Sequence, residues 1–422
     1  MAGIRNKVVV IGGGPAGLMA AGQAALKNAN VTLLEKKDRP ALKLRITGNT
    51  RCNLTNMAPL DEFIGHFGHN GKFLRTVFSQ FFCADLRKFF EDINVSLRPD
   101  ERGRVYPKSN QADEVADALL AWTKKCRTKM ITFSSAAKIL VDDNRVTGVQ
   151  VLENNRFYPA NAVVVATGGA SYPATGSSGD GFRLTESLGH TIIPIRPALV
   201  PLLTNPDFVR KLKGVSFDSV SVILKINGKA TATATGGLLF THYGISGPAV
   251  LSLSRLCVDE IRKGNQPILS IDFIPGYSEN RLDEIFLESF KVHGKSRVRN
   301  ILKETIPDRV ALLFLSAMGI EPDKPCSQIS ATERRKIRLG LKEFDIVITG
   351  HRSINKAMVT AGGVSLNEIN PGTMQSRLIK GLYFAGEVLD LDADSGGFNL
   401  QAAFSTGWLA GRMCAIPDRR SS

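Results

Sequence analysis

Lys7-Val8-Val9-Val10-Ile11 runs directly into Gly12-Gly13-Gly14-Pro15-Ala16-Gly17, and this junction constrains the fold more than any other stretch. The first five residues, mostly β-branched, read as a short strand buried on both faces, as in a parallel sheet. The next six contain G-x-G-x-x-G. Leu18 to Leu26 is an alanine-rich helix, and a second strand, Val31-Thr32-Leu33-Leu34, ends in Glu35. Strand, glycines, helix, strand and acid in that order form a dinucleotide-binding unit. Gly12 permits the tight turn, Gly14 lets backbone approach a pyrophosphate, and Gly17 lets the helix pack close to the strand. The helix start at Pro15-Ala16 turns its N-terminus toward the anion. Glu35, eighteen residues after Gly17, is placed to accept ribose hydroxyl bonds. A carboxylate there, followed by Lys36, favours FAD or NAD over NADP, because it repels a 2′-phosphate.

The fingerprint alone does not separate FAD from NAD. Ala162-Val163-Val164-Val165-Ala166 is another buried strand, and it ends in Thr167-Gly168-Gly169, small residues that let backbone pass close to a nucleotide. Near the C-terminus Gly381-Leu382-Tyr383-Phe384-Ala385 ends in Gly386-Glu387. Gly396-Gly397-Phe398-Asn399-Leu400-Gln401 follows and leads into a helix, Ala402 to Met413. An N-terminal and a C-terminal element sharing one ligand is the layout of a two-part FAD domain. A plain NAD domain closes within about half this length.

The chain's 422 residues exceed one typical core, so two or three domains are expected. With 43% hydrophobic and 22% charged residues, disorder is excluded as the dominant state. The six cysteines are scattered, without a C-x-x-C pair, which argues against a zinc site or a disulfide framework and fits a reducing cytoplasm. No apolar run approaches the roughly 20 residues of a membrane span, and the N-terminus reads as a strand rather than a signal peptide. The expectation is a soluble cytoplasmic protein without metal. The net charge of +15 is the unusual figure, and it suggests an anionic partner.

Between the motifs, Phe73 to Asp92 carries apolar residues at helical spacing, as one helix or two, and Ala112 to Thr123 is a further helix. Ser135 to Asp142 and Arg145 to Glu153 read as a hairpin about Asp143-Asn144. Pro194, Pro197 and Pro201 mark a crossing to a strand-rich stretch ending near Phe273. Glu279 to Leu341 is helical, and the chain returns near Arg352. The expected fold is α/β: a discontinuous Rossmann-like FAD-binding domain (1–193 and 352–418), a β-rich insert (194–277 and 342–351) and a small helical subdomain (278–341).

Four long motifs carry a family resemblance. They are Thr47-Gly48-Asn49-Thr50-Arg51-Cys52-Asn53-Leu54-Thr55-Asn56; Ala166 through Ser177; Leu239-Phe240-Thr241-His242-Tyr243-Gly244-Ile245-Ser246-Gly247-Pro248; and Gly386-Glu387-Val388-Leu389-Asp390 through Gln401. In this order they resemble the BaiN/YhiN flavoprotein family over nearly the whole chain. The resemblance implies an FAD domain split by a β-rich insert with a small helical piece. It implies reduction of unsaturated bile-acid ketones for BaiN-like members and of a uridine in 23S ribosomal RNA to dihydrouridine for YhiN-like ones. The family often has glycine where this chain has Thr50 and Ala393.

The fingerprint and these motifs give the expected cofactor contacts: Gly12, Gly14, Pro15, Ala16, Gly17, Glu35, Lys36, Lys43, Gly48, Arg51, Cys52, Asn53, Thr167, Gly168, Gly169, Gly386, Glu387, Asp390, Asn399, Leu400 and Gln401. Lys43 and Arg51 are placed to neutralise the pyrophosphate or a reduced flavin, and Asn53 and Asn56 offer amide bonds. Cys52 has Arg51 beside it, which would lower its thiol pKa, although a packed, flavin-lining role is favoured over a catalytic thiol. His242 and Tyr243 stand on a loop suited to a proton donor, with Tyr172 as another candidate at the flavin. His351-Arg352 is either an anion site or a hinge. His66 and His69, in a glycine-rich segment expected to be exposed, receive no role. No second dinucleotide fingerprint is present, so NAD(P)H is expected as a transient donor to non-covalent FAD, or another protein delivers the electrons. The leading reading is an NAD(P)H-driven reductase of an activated C=C bond. The alternatives are a ribosomal RNA dihydrouridine synthase and a non-catalytic flavin-binding sensor. Two basic stretches read by default as solvated helix faces and, if RNA is the substrate, as its contacts: Lys291, Lys295, Arg297, Arg299 and Lys303, then Arg334, Arg335, Lys336, Arg338 and Lys342.

Overall fold

The computed structural model describes residues 5–417, so the expected domain end at Asp418 and the first four residues lie outside the described residues. The chain divides into two compact units. One comprises residues up to Pro197 together with those from Met358 onward; the other is Ala198–Ala357.

The first unit is built on a five-stranded parallel sheet. Its central strand β1 (Lys7–Ile11) pairs on one side with β2 (Asn30–Leu34) and on the other with Ala162–Val165. Leu382–Phe384 extends the sheet beyond Ala162–Val165, and Lys129–Ile131 extends it beyond β2. Val8, Val9, Val10 and Ile11 are all buried, as a strand covered on both faces requires. Helix α1 (Pro15–Leu26) connects β1 to β2 and lies against the C-terminal helix Phe398–Cys414. Small residues allow this contact: a Cβ on Gly407 would stand 2.4 Å from the Ala16 carbonyl oxygen, and one on Gly411 2.3 Å from that of Ala20.

The aromatic run resolves into two helices, Gly71–Phe78 and Cys83–Asp92. The hairpin forms from Ala136–Asp142 and Arg145–Val151, with Asp143 and Asn144 both at positive φ, which is the geometry of a two-residue type I′ turn.

The second unit holds a seven-stranded sheet in the order Phe344–Val347, Ile268–Asp272, Ser216–Ile226, Lys229–Phe240, Gly244–Ser246, Leu202–Leu203 and Gly350–His351. A fifteen-residue helix, Pro248–Arg262, interrupts the strand-rich stretch. Helices Glu279–Val292, Asp308–Ala317 and Ala331–Lys342 share one hydrophobic core with this sheet, since Phe286, Phe314 and Ile337 belong to the same cluster as Val222 and Leu269. Among the described residues no helix is long and apolar enough to cross a membrane.

Candidate functional site

A cleft of about 1400 Å3, counting its open mouth, lies within the first unit along the C-terminal ends of β1 and β2. Gly12, Gly14, Pro15, Ala16, Glu35, Lys36, Lys43, Thr167, Gly168, Gly386, Glu387, Asn399 and Leu400 all line it. The structure thus brings together residues drawn from opposite ends of the chain.

The glycines have separate steric causes. Gly12 is at φ +102 with the Ala166 carbonyl oxygen 2.5 Å from where its Cβ would stand. A Cβ on Gly17 would be 1.9 Å from the Gly12 carbonyl oxygen, so the helix could not seat on the turn. Gly14 differs: nothing lies within 4 Å of its Cβ position, so a side chain there would project into the cleft. Both long helices begin at the cleft without a side-chain cap on their first amides, which leaves donors for an anionic ligand. Thr167 Oγ1 is buried with no partner. Open space at Gly14, uncapped amides and an orphan hydroxyl fit the expected dinucleotide cofactor.

Glu35 is fixed by its neighbours. Its Oε2 accepts from the Gly13 amide and its Oε1 from the Lys37 amide, each at 2.8 Å. Burial pushes its carboxyl above the usual carboxylate range, opposed by those amide bonds and by the Lys36 charge. The cations are less free than the sequence suggested. Lys36 is held by Ser178 and by Asp180, whose carboxyl is drawn down by the lysine against the opposing effect of burial. Lys43 Nζ meets Glu387 Oε2 at 2.8 Å and donates to Ser171 Oγ at 2.7 Å. Arg45 turns to Asp113 and Asp117. Arg39 also lines the cleft and makes no ion pair among the described residues.

Several expected contacts stand behind the lining. Asp390 accepts from Asn70 Nδ2 at 2.9 Å. Asn56 Nδ2 donates to the Gly396 carbonyl at 3.1 Å, holding the glycine loop. Gly169 passes the Thr360 hydroxyl so closely that a Cβ would stand 2.3 Å from it. Gln401 is fully buried and donates to Ser405 Oγ, leaving its Oε1 unpartnered, as is Asn53 Oδ1. Asn399, which does line the cleft, bridges the loop by bonding both the amide and the carbonyl of Ala393 at 2.9 Å.

The segment after α2 (Leu42–Arg45) runs through the left-handed region: Gly48 and Asn49, which tolerate it, and Thr50 and Cys52, which do so less readily, all have positive φ. Thr50, a β-branched residue at φ +64, is an outlier that costs about 1–2 kcal/mol. The expectation that Arg51 lowers the Cys52 pKa is overturned. Arg51 lies over the Tyr106 ring at 5.1 Å, and burial pushes the fully buried Cys52 thiol up to about 12.

Tyr172, at φ +55 on its turn, is not among the lining residues. His242 and Tyr243 belong to the second unit, where the Arg352 guanidinium stands 4.4 Å from the Tyr243 ring centre and the two aromatic rings meet edge-on at 4.7 Å. Arg352, read from sequence as anion site or hinge, thus joins the two expected proton donors. His351 Nδ1 bonds the Arg352 carbonyl oxygen at 2.9 Å. His66 is half-buried rather than exposed: it bonds Asp394 at 3.0 Å and stacks on Phe398 at 3.8 Å. Sequence reasoning missed Ser171, Asp180 and Thr360 as polar partners, and only the bounds of the family motifs around Ser171 pointed near any of them.

The two basic stretches are largely neutralised. Arg334 and Arg338 pair with Asp283, Arg338 also with Glu279, Lys342 with Asp272, Arg297 and Arg299 with Asp323, and Lys303 with Asp308. Lys291, Lys295, Arg335 and Lys336 are exposed and make no ion pair among the described residues.

The model of the family described as HI0933-like protein Rossmann domain matches residues 6–413. A 3-dehydro-bile acid delta(4,6)-reductase from Clostridium scindens is 31% identical over 412 residues, covering 97% of this chain and 99% of that protein. A ribosomal RNA dihydrouridine synthase from Escherichia coli is 28% identical, covering 96% of each. Among solved structures, the fold matches a 3-ketosteroid delta1-dehydrogenase from Sterolibacterium denitrificans with a TM-score of 0.52 at 13% identity, over 97% of this chain and 99% of that one.

Proposed function

This chain belongs to the HI0933-like Rossmann-domain family and is an FAD-dependent oxidoreductase, and from that premise we propose that it reduces an activated C=C bond in a small conjugated ketone, with NAD(P)H docking transiently as donor. The observation that carries this reading is the 31% identity, over nearly the full length of both chains, to the bile acid reductase.

FAD, held non-covalently, would supply two-electron chemistry when bound. The helix starts at Pro15 and Phe398 and the backbone at Gly14 would hold its phosphates, and Glu35 its adenosine ribose. Leu391, Leu400 and Val359 give the cleft an apolar wall that excludes water. The Arg352–Tyr243–His242 cluster offers one cation and two proton donors on one surface of the second unit.

Anaerobic rapid mixing of the holoprotein with NADH and with NADPH tests the donor. One of them is expected to bleach the flavin band, and a 3-keto-4,6-diene bile acid is expected to restore it. No bleaching by either nicotinamide overturns the donor assignment, and bleached protein that the dienone does not reoxidise overturns the substrate class. The second reading, reduction of a ribosomal RNA uridine, is supported by the Escherichia coli relative and by the four exposed unpaired cations. Equal dihydrouridine content in ribosomal RNA from a deletion strain and its parent excludes it.

A further inference from the structure

Lys43 was expected to present a free positive charge to the cofactor, and the structure instead gives it a dedicated counter-charge. Its Nζ lies 2.8 Å from Glu387 Oε2 and donates to Ser171 Oγ at 2.7 Å. The carboxylate is itself held: Glu387 Oε1 accepts from the Thr360 amide at 2.9 Å. Thr360 Oγ1 in turn accepts from the amides of Ala170 and Ser171, at 2.8 and 3.1 Å. Four chain segments are thereby tied around one ion pair. Both partners are about four-fifths buried and line the cleft, so the pair is poorly screened by solvent. With Glu35 assigned to the adenosine ribose and the α1 start to the pyrophosphate, the wall holding Lys43, Glu387 and Leu400 is left for the isoalloxazine.

We propose that Glu387 is a positioning residue acting through Lys43, and that this ion pair sets the reduction potential of the bound flavin. Two-electron reduction takes up two electrons and one proton, so the reduced cofactor carries one more negative charge than the oxidised one. An unbalanced cation at the ring wall favours the reduced state, and an unbalanced carboxylate favours the oxidised state. The paired arrangement lies between these extremes, so the two single substitutions act in opposite directions. The inference rests on FAD occupying this cleft and is independent of the substrate or donor assigned above.

The test is a redox titration of the FAD-loaded protein against viologen and indigo dyes, with flavin stoichiometry measured for each variant. Glu387→Gln keeps the shape and the bond to the Thr360 amide but removes the counter-charge. It is expected to raise the ratio of reduced to oxidised flavin at fixed potential about tenfold, equivalent to about 30 mV for a two-electron couple. Lys43→Met is expected to lower the same ratio by a similar factor, and the double variant is expected to return within threefold of wild type. Single variants that shift the ratio in the same direction, or by less than threefold, overturn the proposal. A variant that folds with the wild-type melting temperature but retains no FAD also overturns it, because the pair would then anchor the cofactor rather than tune it. Neither nicotinamide nor substrate enters the measurement, so its failure is distinct from failure of the C=C reductase reading.

Discussion

At Gly14 the backbone is extended, with φ −76, a conformation open to any residue, so space rather than strain explains the glycine. Gly14→Val is therefore expected to leave the melting temperature of the FAD-free protein unchanged. It should weaken FAD binding at least tenfold, about 1.4 kcal/mol, as read by flavin fluorescence titration. Wild-type affinity in the variant would remove the pyrophosphate from this position.

A different kind of residue is His190, which sequence reasoning passed over. It is buried, with Nδ1 2.9 Å from Glu368 Oε2 and Nε2 2.9 Å from Ser376 Oγ, and its ring meets Phe384 edge-on. Ser376 Oγ also accepts from the amides of Leu378 and Ile379, so its hydroxyl hydrogen is left to donate to Nε2. Burial lowers the His190 pKa below its usual value, against the pull of Glu368. Because the folded value is depressed, the unfolded chain binds the proton first. Stability is then full above about pH 6.5 and declines as pH falls from there. Chemical denaturation from pH 7 to 5 should show this decline in wild type and a flatter profile in His190→Gln. Equal slopes would assign the effect elsewhere. No periodicity announces such a residue, because a histidine's partners come from Glu368 and Ser376, far along the chain.

Helix α1 and the helix Phe398–Cys414 meet through glycines, and this contact aligns two uncapped helix starts on one cleft. Gly407→Val is expected to destabilise the protein by about 1–3 kcal/mol, the usual range for overpacking, and to lower FAD occupancy with it. Thermal unfolding and flavin content of the purified protein measure both, and an unchanged melting temperature would contradict the packing. The sequence reading gave the helix Ala402 to Met413 but not its partner, because glycines in a helix do not name the surface they meet. The hairpin about Asp143-Asn144 was legible because both strands and the turn are local in the chain. The helix Pro248–Arg262 was only half legible. Ser246 and Pro248 suit a helix start, but the strand patterns on either side masked its length.

For the whole molecule, the +15 charge is less available than its magnitude suggests, because ion pairs offset most of the basic residues in Glu279–Lys342. Within the two basic stretches four exposed cations remain unpaired among the described residues. Replacing Lys291, Lys295, Arg335 and Lys336 by Gln should reduce the slope of log K against log salt for single-stranded RNA by no more than about 3, at about 0.7 per phosphate contact. Fluorescence anisotropy over a salt series measures it, and a larger drop would mean that paired arginines open to meet RNA. The sequence by itself determined the dinucleotide unit around β1, the C-terminal element that joins it, and the family. Those features leave local marks in the chain: turn and helix hydrogen bonds close within a few residues, and a strand buried on both faces shows as a continuous apolar run, so residue pattern records them. The tertiary structure alone decided which charges are free. Lys43 and Glu387 lie 344 residues apart, and Cys52 sits beside Arg51 in sequence yet is fully buried, so that burial raises its thiol pKa against the Thr47 hydrogen bond. Electrostatic and desolvation energies depend on distance in space, and a linear pattern of residue types does not contain it.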